Sequence, residues 1–272
     1  MRKPFVYQKK SLGQVFLKEE WPCVKMTELL KEESIDHVLE IGPGAGVLTK
    51  HLVKAGFHVT SVEKDTRFFE LLLTMKDEMT KSSQGSVDFV NSDILKFDLN
   101  SWLESRRGNI AICGNIPYNI STPILRSVLP LLGRVKYISF LVQFEFAARV
   151  AAAVNTEAYG SLSVFTQLRA NPKLEFMVKN TCFSPVPKVH SAVLSLRHLA
   201  TMESPSVLEK TEIVTRQAFT QRRKMMSNAI SNFIKPDTNI SDLGFPLTAR
   251  AETISPKMWV HLAKVLFPDL GD

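Results

Sequence analysis

The sequence predicts an α/β protein, a parallel sheet wound with helices, followed by a small all-helical domain. Three observations predict it: short apolar runs alternate with amphipathic stretches over the first two-thirds of the chain, turn and cap residues stand between them, and the periodicity changes after about Leu199. Residues 37–41, 57–62, 87–91, 109–114 and 137–142 have the length and β-branched character of strands. Between them, residues 47–55, 66–80 and 123–132 carry helix-period apolar positions. Strands alternating with helices of this length imply βαβ crossovers. Gly56 stands where a C-terminal cap belongs, and Ser121 before Thr122-Pro123 reads as an N-cap with an early proline. Two later segments, 174–178 and 192–196, can close the sheet as a hairpin. Residues 202–206 then read as a linker, and 207–234 and 256–267 as helices with no strand signal.

At 272 residues the chain is long enough for one large domain or two smaller ones. Hydrophobic residues at 44% and charged residues at 22% exclude wholesale disorder. The longest apolar run, residues 150–154, falls far short of the ~18 a membrane span needs. The basic start MRKPFVYQKK has no apolar stretch behind it and does not read as a secretory signal. Cys23, Cys113 and Cys182 lie far apart, and the histidines form no ligand spacing, so no disulfide framework or metal site is expected and a reducing cytoplasm is. Net charge is +7 and unevenly spread. No acid precedes Glu19, and none lies between Glu212 and Asp237, where Arg216, Arg222, Arg223, Lys224 and Lys235 are all basic. Two acid-free basic stretches suit a polyanion such as RNA.

The sharpest local feature is Glu40-Ile41-Gly42-Pro43-Gly44-Ala45-Gly46, between a strand and a helix. Glycines there permit positive φ and close approach of a ligand to the backbone, and the helix start offers unpaired N–H groups. Counted from Gly42, the dinucleotide fingerprint would require glycine at Val47. The spacing E-x-G-x-G-x-G resembles instead motif I of class I S-adenosylmethionine-dependent methyltransferases, whose cationic sulfonium tolerates an acid such as Glu40. The next strand ends Ser61-Val62-Glu63-Lys64, placing Glu63 to accept from both ribose hydroxyls. The third ends Asn91-Ser92-Asp93-Ile94, where Asp93 can accept from an adenine amine and Ile94 can lie against its ring. Each acid alone is as well read as a surface or loop residue; three signals at successive strand ends mark a cofactor site.

The fourth strand runs into Asn115-Ile116-Pro117-Tyr118, which resembles motif IV of methyltransferases acting on exocyclic amines of bases. Such an amine is a poor nucleophile because its lone pair is delocalised into the ring. The Asn115 side-chain oxygen and the Pro117 main-chain carbonyl are expected to accept from it as it turns tetrahedral, and Tyr118 to stack on the extruded base. Standing alone, N-I-P-Y is an ordinary turn.

With these residues in hand the chain resembles the KsgA/RsmA family of ribosomal RNA adenine dimethyltransferases over residues 7–267. Ser11-Leu12-Gly13-Gln14-Val15-Phe16-Leu17 resembles the family's GQNFL segment, and residues 115–123 its NLPYNISTP. Residues 158–163 resemble its AYGRLS, 183–193 its FxPPPKVxSAV, 218–224 its AFxQRRK and 250–252 its RAE. The resemblance implies a Rossmann-like class I methyltransferase sheet in a catalytic domain spanning 1–199 and a helical rRNA-binding domain spanning 200–272. It implies S-adenosylmethionine as methyl donor, no metal, and a cofactor site built from Gln14, Leu17, Glu40, Gly42, Gly44, Glu63, Lys64, Asp93, Ile94 and Asn115. Catalysis falls to Asn115, Pro117 and Tyr118. Phe183 is implied on the far side of the base from Tyr118, and Arg222, Arg223 and Lys224 on rRNA phosphates.

The implied reaction dimethylates two adjacent adenosines near the 3′ end of 16S rRNA in a small-subunit precursor, carried out by a cytoplasmic monomer without membrane contact. Val15 stands where the family has asparagine, which implies loss of any side-chain hydrogen bond from that position and weaker cofactor binding. Gln143-Phe144-Glu145 replaces the usual QKE and removes a positive charge. The rival readings are a large-subunit adenine methyltransferase conferring macrolide resistance, a DNA adenine methyltransferase with its acidic D-P-P-Y motif, and a non-catalytic assembly factor on the same fold.

Overall fold

The computed structural model describes residues 15–81, 83–235, 238 and 240–269. The chain forms two compact units, Met1–Ala147 with Lys173–His198, and Ala148–Pro172 with Leu199–Asp272. Leu199 falls at the boundary expected from the change in periodicity. The expected division at 199/200 nevertheless places residues 148–172 in the first domain, whereas they belong with the helical unit. Ala152, Tyr159 and Val164 share one buried cluster with Val214, Ala218, Trp259 and Leu262, so the apolar faces of this excursion are covered by later helices.

In the first unit, β1 (Phe16–Leu17) precedes α1 (Trp21–Glu32), β2 (His37–Ile41), α2 (Val47–Lys54), β3 (His58–Glu63), α3 (Thr66–Thr80) and β4 (Ser86–Asn91). Then come α4 (Leu99–Glu104), β5 (Ile110–Asn115), α5 (Ser121–Val128), β6 (Tyr137–Gln143) and α6 (Phe144–Val150). α7 (Ser161–Gln167) falls in the second unit; after it β7 (Ala170–Val178), β8 (Phe183–Ser184) and β9 (Ser191–His198) complete the strands. Seven strands form one sheet in the order β4-β3-β2-β5-β6-β9-β7. β2 pairs parallel with both β3 and β5, β6 extends the parallel run, and β9 lies antiparallel to β6. The central strands are apolar on both faces because both are covered: β5 is buried from Ile110 to Gly114. β2 therefore sits where connections leave in both directions, and the crevice beyond the carboxyl ends of β2 and β5 is where such sheets bind ligands.

Local chemistry sets the ends of the helices. Asp65 caps α3 by accepting from the Arg67 N–H, and Asp98 caps α4 by accepting from Ser101. Gly56 closes α2 at φ +97°, in the left-handed region, as expected. Ser121 is not the N-cap. It is the first residue of α5, and its hydroxyl donates to the Pro117 carbonyl at 3.2 Å. In the helical unit α8 (Pro205–Thr220) begins inside the expected linker; the chain then turns before α9 (Met226–Ala229), and α10 (Pro256–Leu266) follows a Ser255 cap. The continuous helix expected over 207–234 is thus interrupted at Gln221–Met225. Among the described residues no helix is long and apolar enough to cross a membrane.

Candidate active site

A cleft at the carboxyl ends of β2, β3, β4 and β5 is lined by Val15, Phe16, Leu17, Glu40–Ala45, Glu63, Lys64, Asp93, Ile94 and Asn115–Ile120 among others. All the expected cofactor residues among the described positions are thereby brought to one place; Gln14 lies outside the described residues. Gly44 shows why the loop is glycine-rich. Its φ is +53°, and a Cβ there would lie 3.0 Å from the Phe16 ring. Its N–H donates to Glu63 Oε2 at 3.0 Å. Beside Gly42 the space that a Cβ would enter is open, so a ligand can lie against the backbone there.

Three acids face this loop with different attachments. Glu40 is fully buried, and its Oε2 accepts from the Thr49 and Ser61 hydroxyls at 2.6 and 2.7 Å. Burial raises its carboxyl to about 7 against the pull of those two hydrogen bonds. Glu63 accepts from the Gly44 and Asp65 N–H groups, and burial raises it too. A carboxylate has about four lone-pair sites, so acceptor capacity remains for hydroxyls. Asp93 accepts from Lys64 Nζ at 2.8 Å and from the Leu95 N–H, and the Lys64 contact holds its pKa down. An adenine amine at Asp93 would therefore meet a carboxylate already shared with Lys64.

At the end of β5, Asn115 Nδ2 donates to the Val15 carbonyl at 2.9 Å, which leaves Oδ1 as the acceptor. Tyr118 is half-buried, and its hydroxyl is 2.8 Å from Ser191 Oγ, a fully buried residue that opens β9. Ser191 holds the tyrosine ring at the cleft, a role the sequence reading missed although it sits inside a recognised motif. Phe16, likewise missed, lies against Gly44 and 5.1 Å from the Phe68 ring.

Three expected roles are not what the fold presents. The Pro117 carbonyl accepts from the Ile120 N–H at 3.1 Å and from the Ser121 hydroxyl. Both of its lone pairs are engaged by the turn that starts α5, and it is not free to accept from a substrate amine. Ile116, which lines the cleft, has a carbonyl with no hydrogen bond among the described residues. Phe183 is 1% exposed and packs in the core cluster with Val15 and Leu17 rather than lining the cleft. Phe183 stands in β8, opposite Leu17 of β1. In the helical unit Arg222 is not a free cation, because its guanidinium holds Glu252 Oε2 and the carbonyls of Glu157 and Thr156. Arg223 and Lys224 are exposed.

Comparison with known proteins matches this arrangement. The family model for ribosomal RNA adenine dimethylases matches residues 6–266. Curated relatives from Francisella tularensis subsp. novicida and subsp. tularensis, each named ribosomal RNA small subunit methyltransferase A, are 34% identical over 95% of this chain and 97% of theirs. Two solved structures share the fold: a dimethyladenosine transferase from Plasmodium falciparum has a TM-score of 0.73 at 20% identity, over 94% of this chain and 98% of that one. The 23S rRNA methyltransferase ErmE has a TM-score of 0.69 at 24% identity, over 92% and 99%. A match over nearly the whole length, with the glycine loop and N-I-P-Y meeting in one cleft, shows that the chain belongs to the ribosomal RNA adenine dimethylase family.

Proposed function

We propose that this protein transfers methyl groups from S-adenosylmethionine to the exocyclic amines of two adjacent adenosines near the 3′ end of small-subunit rRNA, in the cytoplasm, as a monomer acting on a subunit precursor. The observation that carries the reading is the meeting of Asn115 with the glycine loop and the acids Glu40, Glu63 and Asp93 in one cleft. The open space beside Gly42 and the buried acids suit a nucleoside bearing a positive sulfonium. Glu63 would hold the ribose hydroxyls, Ile94 the adenine face, and Glu40 the electrostatic balance. The bound cofactor supplies an electrophilic methyl group, so the protein needs to position rather than strongly activate.

Asn115 Oδ1 accepts a hydrogen bond from one amine N–H, and the Ile116 carbonyl is the second acceptor in place of Pro117. Together they would draw the amine lone pair out of the ring towards the methyl group; the bound cofactor would give up that methyl by breaking its C–S bond, with the electron pair staying on sulfur as a neutral thioether, and the amine proton would leave to solvent. Tyr118, held by Ser191, stacks on the base. Arg223 and Lys224 contact rRNA phosphates, with Arg222 building their support rather than joining them. The small-subunit substrate is favoured over the large-subunit one by the names of the 34%-identical relatives, whereas the likeness to ErmE speaks only to the fold.

Tritiated S-adenosylmethionine, offered with small subunits lacking this modification, with large subunits and with naked rRNA, tests the reading. Dimethyladenosine from small subunits is expected, approaching about four methyls per particle if two adenosines each take two. Label on large subunits alone would overturn the substrate assignment. Asn115→Ala should lower the rate by at least about 100-fold, comparable to losing one oxyanion-type contact; an unchanged rate would favour a binding factor.

A further inference from the structure

We propose that the main-chain carbonyl of Val15 sets the orientation of the Asn115 amide, so that this site requires at position 115 a side chain able to donate on one side and accept on the other. The inference rests on the reading of Asn115 as the acceptor for the substrate amine. A carbonyl carries no proton, so only the NH2 end of the amide can face Val15 at 2.9 Å. That choice leaves Oδ1 as the free end. The segment bearing Val15 is itself held by bonds independent of Asn115. Phe16 pairs with Ser184 and Leu17 with Phe183. The Lys18 and Glu19 N–H groups both donate to the Cys182 carbonyl, and the Phe16 ring lies against Phe68. The carbonyl is therefore a fixed group that reads the side chain opposite it, and it does so whatever side chain residue 15 carries. Valine in place of asparagine there leaves this contact intact.

Aspartate separates this role from that of a mere tie for the N-terminal segment. It has the shape of asparagine, but once ionised it offers two acceptors and no donor, and one oxygen must face the Val15 carbonyl. Only the protonated acid can donate to Val15 while its other oxygen accepts from the amine. The experiment is kcat of the full-length Asn115→Asp variant on small subunits between about pH 5.5 and 8.5, each value divided by that of the unaltered protein at the same pH. The division removes titration of the other charged or titratable groups lining the cleft, namely Glu40, Glu63, Lys64, Asp93 and Tyr118.

The ratio should fall about tenfold per pH unit on the alkaline side of the new carboxyl's midpoint. Asn115→Ser, a neutral side chain that still donates, should give a ratio independent of pH. Melting temperatures across the range show that both variants are folded. An aspartate ratio that is flat or rises with pH overturns the inference, as does a serine ratio that falls in parallel. If the unaltered protein transfers no methyl group to any particle, the proposed function fails, and the inference is decided separately by carboxyl-carbon NMR of Asn115→Asp. A midpoint near the ordinary aspartate value of about 3.9 would overturn it.

Discussion

Arg222 and Arg223 are neighbours in one basic motif, yet the structure engages the first and leaves the second exposed, and on the proposed reading alanine substitution should separate them. Arg222 Nε lies 2.9 Å from Glu252 Oε2, Nη1 lies 2.6 Å from the Glu157 carbonyl, and Nη2 lies 3.1 Å from the Thr156 carbonyl. One guanidinium thus ties the turn after α8 to residues 156–157 and to Glu252, whose own carbonyl accepts the Asn155 N–H at 2.8 Å. The ion pair is about one-third exposed at 35% and 28%, so it contributes at most about 1 kcal/mol. Two charged-donor bonds to carbonyls, discounted for the same exposure, add about 1–2 kcal/mol. Arg222→Ala should therefore destabilise by about 1–3 kcal/mol, a fall in Tm of roughly 2–12 °C for a protein of this size. Arg223 is exposed and makes no hydrogen bond or ion pair among the described residues. Its alanine variant should melt within about 1 °C of the unaltered protein, yet bind particles more weakly, with a salt dependence shallower by about one counterion. Calorimetry and particle binding at several salt concentrations measure both. An Arg222→Ala protein with unchanged Tm and the binding defect of Arg223→Ala would refute the division.

Two further outcomes follow from the cleft. Glu40 is raised to about 7 from an ordinary 4.5, so the folded state holds its proton longer than the unfolded chain. Its contribution to stability is then most favourable below about pH 4.5 and is lost as pH rises through about 7, a swing on the order of 3 kcal/mol. Glu40→Gln, which can still accept from Thr49 and Ser61, should flatten the fall in Tm between about pH 5 and 8 relative to the unaltered protein; a parallel fall would contradict the assignment. Gly44→Ala sets a side chain at φ +53° and 3.0 Å from Phe16, a strain of about 1–2 kcal/mol. It should weaken S-adenosylhomocysteine binding about tenfold or more by titration calorimetry, and an unchanged affinity would show that Phe16 and the loop yield freely.

The strands were legible because burial on both faces writes a continuous apolar run, and β2, β3, β5 and β6 begin and end within about a residue of expectation. β7 was half missed. It begins at Ala170, four residues before the expected 174, in Ala170-Asn171-Pro172-Lys173. Its alternating exposure and its proline belong to the sheet edge and carry no such run. α1 is a different case. Cys23, Met26, Thr27 and Leu30 form a buried helical stripe, but its helix follows Glu20, which makes no side-chain cap, so the start lacked punctuation. α4 has its Asp98 cap but only six residues, too few to establish a period. The placement of 148–172 with the helical unit could not be read locally at all, since what covers Tyr159 and Val164 lies about fifty to a hundred residues further along.

At the site, residue types were legible and the commitments of their atoms were not. Asn115, Tyr118, Glu40, Glu63 and Asp93 reach the cleft as the strand ends foretell. Pro117, Phe183 and Arg222 are also parts of recognisable motifs, yet each has its working group already engaged: a carbonyl in the turn before α5, a ring in the core, a guanidinium on three loop acceptors. A motif records that a residue is needed at a place, and a fold can need it as much as a substrate does. Asn115 shows how one side chain can serve both, because its two ends differ. Its donor is spent on the Val15 carbonyl, and in the proposed reaction its acceptor takes the substrate amine. An ionised aspartate or a hydrocarbon of the same size has no such division, which on the proposed reading is the physical reason for asparagine at the end of β5.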